Sequence, residues 1–452
     1  MDMQEVWLDK PEGALDNPSS KDQAANRDKK TRVADVCNTE KKSIVDIEGL
    51  GEYDIEKKDE LEEESYYKLL SIAYALIAII SDAPYFLIVS MGDYFRQAFN
   101  VKDILITEFA LMESIVFIVV CVLLHLIGSY RLKWNLLQPL LSTFFLTLIY
   151  LVVYFKSDYI GHKIVIFSVI PFAIIACVIK MTTMKICVLF RKQYCTAYVC
   201  GLSLSGFVVF ILYVLGAYVF FADDENKFRK MFSLFCGVFS CIALTSFFIL
   251  QKIYKLPFVE RLKEKYEDKG LLINKTILVE SVKSISVVWE YVIIGFLANF
   301  MAFQIYPTVF PICIKASKEM KGLLSGLLLF GDSSAHLLVH FLDSYFLKMN
   351  IPAFFFIKLV MLGFLPIFFT LVIYHSSIFY NSYFLMALSY SFGFCHGILS
   401  NSVFVKIPEV CRKRKKEQYL KLAPNIVFLA FVLGTMIGVL LSKLYVILLT
   451  GH

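Results

Sequence analysis

The chain has 452 residues, 58% of them apolar and 15% aromatic, with a mean hydropathy of +0.65. That is more apolar surface than a soluble chain buries in a core, so soluble enzymes and nucleic-acid-binding modules are excluded and a polytopic membrane protein remains. The formal net charge of +6 hides an asymmetry, because residues 1–65 carry 19 acids against 10 bases and the membrane body is strongly basic.

In chain order, residues 1–65 come first, ending in DELEEES; they are too polar to offset chain entropy by burial and are expected to form a disordered acidic cytosolic tail. No charged region with a short apolar run and a cleavage site opens the chain, so no removable signal peptide is expected. Windows of about 20 apolar residues then predict spans near 68–93, 106–128, 134–155, 164–190, 196–221, 230–253, 284–312, 323–346, 353–375, 379–404 and 423–448. The long polar connection follows the sixth span, where KLPFVERLKEKYEDKGLLINK is basic. The expected organisation is therefore a six-helix half over 66–254, a cytosolic basic loop over 255–283 and a five-helix half over 284–452.

The positive-inside rule, with a cytosolic amino terminus, puts Arg131, Lys133, Arg191, Lys192, that loop and the CRKRKKEQYLK run on the inner side. The run, Cys411 to Lys421, reads as a topology anchor against anionic lipid. The sequon at Asn274 falls in the expected cytosolic loop, where it would not be glycosylated. The 11 cysteines, among them Cys121, Cys177, Cys236 and Cys395, show no CxxC and no ligand spacing to histidine. They are expected to be small core residues and not a zinc site or disulfide frame.

Ionisable residues inside spans carry the functional signal, because each costs about 2.5–3.5 kcal/mol on insertion scales and so faces a polar cavity. The eighth span, LLSGLLLFGDSSAHLLVHFL, carries Asp332, His336 and His340 at spacings of four, on one helix face. His340, a turn nearer the inner end, is expected to be structural. Lys180 lies about 15 Å from the inner end of the fourth span, too deep to snorkel, and needs a polar partner; Lys185, nearer the end, is expected to snorkel. Glu113 and Glu290 are expected to make helix-end or interhelical hydrogen bonds, a proton relay being the alternative.

Six helices, a long cytosolic loop and five helices resemble the equilibrative nucleoside transporter family of the major-facilitator class. Three local patterns carry the resemblance. CGLSLSGF, Cys200 to Phe207, is similar to the family's small-residue entrance to the fifth helix, with Gly201 and Gly206 at its outer glycines, where missing side chains let two backbones approach. In the eighth helix Asp332-Ser-Ser-Ala-His336 resembles the family's DxxxR pattern, with histidine in place of arginine. QIYPTVFP, GFCHGILSNSVFVKIPEVCRKRKKE and FVLGTMIGVLLSKLY resemble the seventh helix and the tenth and eleventh helices with their basic linker.

The resemblance implies that Asp332, with His336, addresses ribose hydroxyls, and that Tyr85, after Pro84 where the family commonly has Pro-Trp, is an aromatic suited to stacking on a base. Lys180 falls where the family often has a base-reading glutamine, and Asp82 where it tends to be apolar. The two charges are expected to pair across the cavity, with direct nucleobase contact by Lys180 the alternative. His396, where the family often has asparagine before Gly397, is open between pinning the tenth and eleventh helices and touching ligand.

The expected protein is all-α, a major-facilitator-like bundle of eleven transmembrane helices arranged six plus five. Its expected function is facilitative transport of nucleosides, and of nucleobases, by alternating access. A proton-coupled nucleoside or nucleobase symporter is one alternative, and a non-transporting membrane receptor or scaffold another. Substrate-binding candidates are Asp332, His336, Lys180, Tyr85 and Asp82. No catalytic set, cofactor, metal or nucleic-acid partner is expected. The expected setting is the lipid bilayer of the plasma membrane, as a monomer.

Overall fold

The computed structural model describes residues 52–100, 105–127, 135–155, 158–189, 192–260, 275–306, 309–374, 381–416, 419–420 and 422–450. Residues 66–452 form one compact unit, preceded by the segment 1–65. Among the described residues, six long helices precede residue 261: α1 (Glu52–Ser90), α2 (Leu105–Ile127), α3 (Leu137–Phe155), α4 (Tyr159–Leu189), α5 (Lys192–Val214) and α6 (Lys227–Ile253). Five follow residue 274: α7 (Lys275–Ile305), α8 (Lys318–Phe341), α9 (Ile351–Ile373), α10 (Ser382–Lys413) and α11 (Ala423–Thr450). Among the described residues there is no strand.

Ten of these helices are long and apolar enough to cross a membrane, and the chain is an integral multi-pass membrane protein. The remaining long helix, α10, falls outside that test and coincides with the expected span at 379–404 over residues 382–404. It buries Ser389, Ser400, Asn401, Ser402 and Lys406, polar residues that lower its mean hydropathy because it lies inside the bundle. Residues 52–65, read from the sequence as the end of the tail, are the first turns of α1. Residues 1–51, Arg131, Lys133, Arg191 and Asn274, and the loop centre at 261–274, lie outside the described residues. So does the side chain of Lys185.

Side-chain caps start three of the helices, and a proline shapes the first. Ser317, Asn350 and Asn381 cap α8, α9 and α10, each side chain accepting from a first-turn backbone N–H. Pro84 inside α1 has no N–H to give the carbonyl of Ile80. Ser142 of α3 donates to that carbonyl instead, at 3.0 Å, so the break beside Asp82 and Tyr85 is satisfied within the bilayer.

Backbone contact at glycine locks α8 onto α10. A Cβ at Gly331 would strike the Tyr390 carbonyl, one at Gly393 the Leu328 carbonyl and one at Gly397 the Asp332 carbonyl. Gly434 of α11 meets the Phe296 carbonyl of α7 in the same way. Between the two sets of helices, Gly206 of α5 rests on the Leu329 Cβ, and Gly322 and Gly326 of α8 accept the rings of Tyr213 and Phe210. Gly201 seats α5 against the Ala75 backbone of α1. These are the close approaches for which small residues are used inside membranes.

Candidate solute cavity

A cavity of about 240 Å³ lies between the two sets of helices. All five residues expected to bind substrate line it: Asp82 and Tyr85 from α1, Lys180 from α4, and Asp332 and His336 from α8. Glu113, His396 and Asn299 line it as well. It therefore draws on both halves of the chain, with aromatic walls that include Phe117, Phe303, Phe392 and Phe428.

On the first-half wall, the Lys180 ammonium is ion-paired with the Asp82 carboxylate. The lysine side chain is 9% exposed and the aspartate 17%. The expected pairing is therefore present, within one wall and not across the cavity, and the lysine also lies over the Phe117 ring, 5.1 Å from its centroid. Tyr85 packs against Phe109 and Phe86, and its buried hydroxyl takes no hydrogen-bond partner among the described residues.

On the opposite wall, the Asp332 carboxylate of α8 is held from two other helices. Oδ1 lies 2.8 Å from His396 Nδ1 of α10, and Oδ2 accepts from Ser203 Oγ of α5 at 3.1 Å. Ser333, the next residue, donates to the Ser203 carbonyl, so α5 and α8 are tied twice at this level. His336 Nε2 is 3.7 Å from Oδ1 and makes its closer bond, 2.9 Å, to Ser400 Oγ. It stands beside the carboxylate without orienting it directly.

His396 is the residue that orients Asp332. Its other nitrogen, Nε2, is 3.0 Å from Asn299 Oδ1 of α7, and the Asn299 amide nitrogen reaches Thr435 Oγ1 at 2.9 Å and the Phe431 carbonyl at 3.3 Å. A polar chain thus runs Ser203, Asp332, His396, Asn299, Thr435 through five helices. The sequence shows only isolated polar residues here, because the partners stand 129, 64, 97 and 136 positions apart. No helical period connects them.

Glu290 and His340 lie off this cavity. Glu290 pairs with Arg414 in a two-pronged contact, 2.7 and 3.4 Å, the interhelical role expected of it. The same guanidinium donates to the Val287 carbonyl, which α7 frees where Val288 leaves helical geometry. His340 packs its ring against Phe341 at 5.6 Å.

No family model and no curated protein matches the chain. Similar solved structures include a bacterial homologue of the human drug peptide transporters, at 11% identity and a TM-score of 0.46 over 85% of this chain and 99% of that one. Another is a bacterial homologue of the iron transporter ferroportin in an outward-facing state, at 11% and 0.43 over 85% and 99%. A third is the xylose transporter XylE from E. coli in a partially occluded inward open conformation, at 13% and 0.46 over 84% and 97%. At such identities and scores the likeness is a loose one of helix arrangement.

Proposed function

We propose that the chain is a major-facilitator-like carrier that moves a nucleoside or nucleobase by rocking its six-helix half against its five-helix half around the central cavity. The observation that carries this reading is the cavity itself, lined from both halves and holding buried ionisable groups between aromatic walls. Groups so costly to bury are retained where a polar solute passes.

Size and chemistry narrow the solute. At about 240 Å³ the cavity lies just under the range of about 300–1,000 Å³ usual for ligand pockets, so it takes one small molecule. Aromatic rings line the cavity, Tyr85 and Phe303 among them, and such rings suit a flat base. The Asp332 carboxylate can accept from sugar hydroxyls beyond its bonds to His396 and Ser203. The resemblance of the Asp332–His336 segment to a ribose-binding pair supports the same assignment. With the amino terminus cytosolic, the end of the bundle bearing Gln97 and Lys318 faces outward.

Competitive uptake into vesicles containing the purified protein tests this directly. Adenosine, inosine, uridine and adenine, each radiolabelled, are compared with xylose and a dipeptide. Saturable uptake of the nucleosides or the base, inhibited by one another and not by the sugar or peptide, is the expected result. Uptake confined to sugar or peptide would overturn the substrate assignment and leave a carrier; no flux of any solute through folded protein would favour a receptor or scaffold.

A further inference from the structure

The polar chain through His396 fixes where protons must be. Thr435 Oγ1 donates its hydrogen to the Phe431 carbonyl, four residues back, at 3.1 Å, so towards Asn299 it can only accept. The Phe431 carbonyl can also only accept. Both lie within reach of Asn299 Nδ2, which must therefore be the NH2 end of the amide, and Oδ1 faces His396. An amide oxygen cannot donate, so His396 Nε2, 3.0 Å away, carries a hydrogen.

That leaves Nδ1 facing Asp332 Oδ1 at 2.8 Å. If the imidazole were neutral and the carboxylate ionised, two lone pairs would oppose each other across this distance. One further proton resolves the contact, whether it sits on Nδ1 as an imidazolium beside a carboxylate or on Oδ1 as an acid beside a neutral ring. The stoichiometry is the same in both cases. Ser203 donates to the other carboxylate oxygen and cannot supply the missing hydrogen to Oδ1. His336 Nε2 is directed to Ser400 Oγ, whose own hydroxyl points at the Gly397 carbonyl at 3.3 Å.

We propose that Asp332 and His396 form a proton-binding site in the cavity wall, holding one shared proton in this state, and that this proton travels with the solute, making the carrier a symporter. This rests on the carrier reading above and adds the coupling ion. Loss of the proton into the cavity leaves a carboxylate and a neutral ring that repel, so the link from α8 through α10 to α7 opens; its return closes that link. The other titratable groups around the site are His336 on α8, Tyr306 after α7, Tyr85 and Asp82 on α1, Glu113 on α2 and Lys180 on α4. Tyr306 donates to the Ser325 carbonyl, and Lys180 is already matched by Asp82, so neither neutralises a bare Asp332.

Two measurements test the site. In vesicles, an acid-outside gradient is imposed during adenosine and uridine uptake, with the membrane potential clamped. For one proton per solute, accumulation above equilibrium approaching about tenfold per pH unit is expected, and His396→Gln, which has no titrating nitrogen, is expected to lose the response to the gradient. Uptake indifferent to the gradient in the wild-type protein, or driven by an alkaline exterior, overturns the proposal. The second readout needs no solute: 15N-histidine spectra of the full chain in nanodiscs, with the His396 signal identified by its absence in His396→Gln. A hydrogen on Nε2 at neutral pH is expected, with Nδ1 either protonated or in a strong hydrogen bond to a protonated carboxyl group. A neutral ring protonated on Nδ1 alone, with Nε2 bare, overturns it. If no nucleoside is transported at all, the substrate reading fails and the spectrum alone decides the proton site.

Discussion

At the scale of single residues, the Asp82–Lys180 pair is the most exacting feature, because neither charge is stable alone in the bilayer. Removing one partner of a buried pair costs about 3–5 kcal/mol, whereas replacing both can be close to neutral. Asp82→Leu and Lys180→Gln are each expected to lower the thermal midpoint of the purified protein and its uptake rate, and the double variant to recover at least the midpoint. Additive loss in that double-mutant cycle would show that the two charges act separately. Asp332→Asn keeps the shape of the side chain but gives up a charge-assisted acceptor worth about 1.5–3 kcal/mol. Its apparent affinity for adenosine is expected to fall by about 10- to 150-fold at unchanged abundance, measured by uptake kinetics.

The sequence made these residues legible for one physical reason: a charge in an apolar run stands out. Asp332, Lys180 and Asp82 could be singled out that way, and all three line one cavity. Asn299, Ser203 and Thr435 could not, since an uncharged polar residue in a span is common and its meaning lies in a partner far along the chain. His396 was visible, but its role as the group that bridges Asp332 to Asn299 depends on helix rotations that no sequence period encodes.

At the scale of elements, the α8–α10 contact sets the distance between Asp332 and His396. Because Gly397 lies against the Asp332 backbone, even one added branch forces the helices apart. Gly397→Val is expected to cost about 1–3 kcal/mol, in the range of overpacking a filled core, and to lower the thermal midpoint. Gly363 of α9, exposed with no atom near its would-be Cβ, supplies the contrast. Gly363→Ala is expected to hold or raise the midpoint, since alanine is favoured in a helix by up to about 1 kcal/mol. Equal losses in the two variants would contradict the packing assigned to α8 and α10. Hydropathy located the spans well where a helix meets lipid, as in α9, and weakly for α10, whose polar residues face other helices.

At the scale of the whole molecule, the helices before residue 261 and those after residue 274 are tied at one end of the bundle. Lys318 donates to Gln97 at 2.8 Å, Lys227 pairs with Glu319 at 2.8 Å, and the Tyr213 hydroxyl donates to the Glu319 carbonyl at 3.2 Å. The proposed alternating access requires these ties to break in each cycle, and the partly exposed ion pair among them is weak enough, at about 0–1 kcal/mol, to do so. A crosslink between Gln97→Cys and Lys318→Cys, made with a reducible bifunctional thiol reagent because only the tips of the two native side chains meet, is expected to stop uptake, and a reductant to restore it, with the reagent-treated wild-type protein as control for its own cysteines. Unimpeded uptake with the crosslink formed would contradict a cycle that opens this end.

The most direct test of a carrier working through this cavity is solute exchange. Vesicles loaded with unlabelled adenosine are diluted into trace labelled adenosine at equal pH on both sides, where a carrier that alternates between two faces returns loaded faster than it returns empty. The expected result is a transient overshoot of internal label above equilibrium, reduced in Asp332→Asn. Label that rises only to equilibrium at the rate of empty vesicles, with the protein folded and inserted, would contradict it.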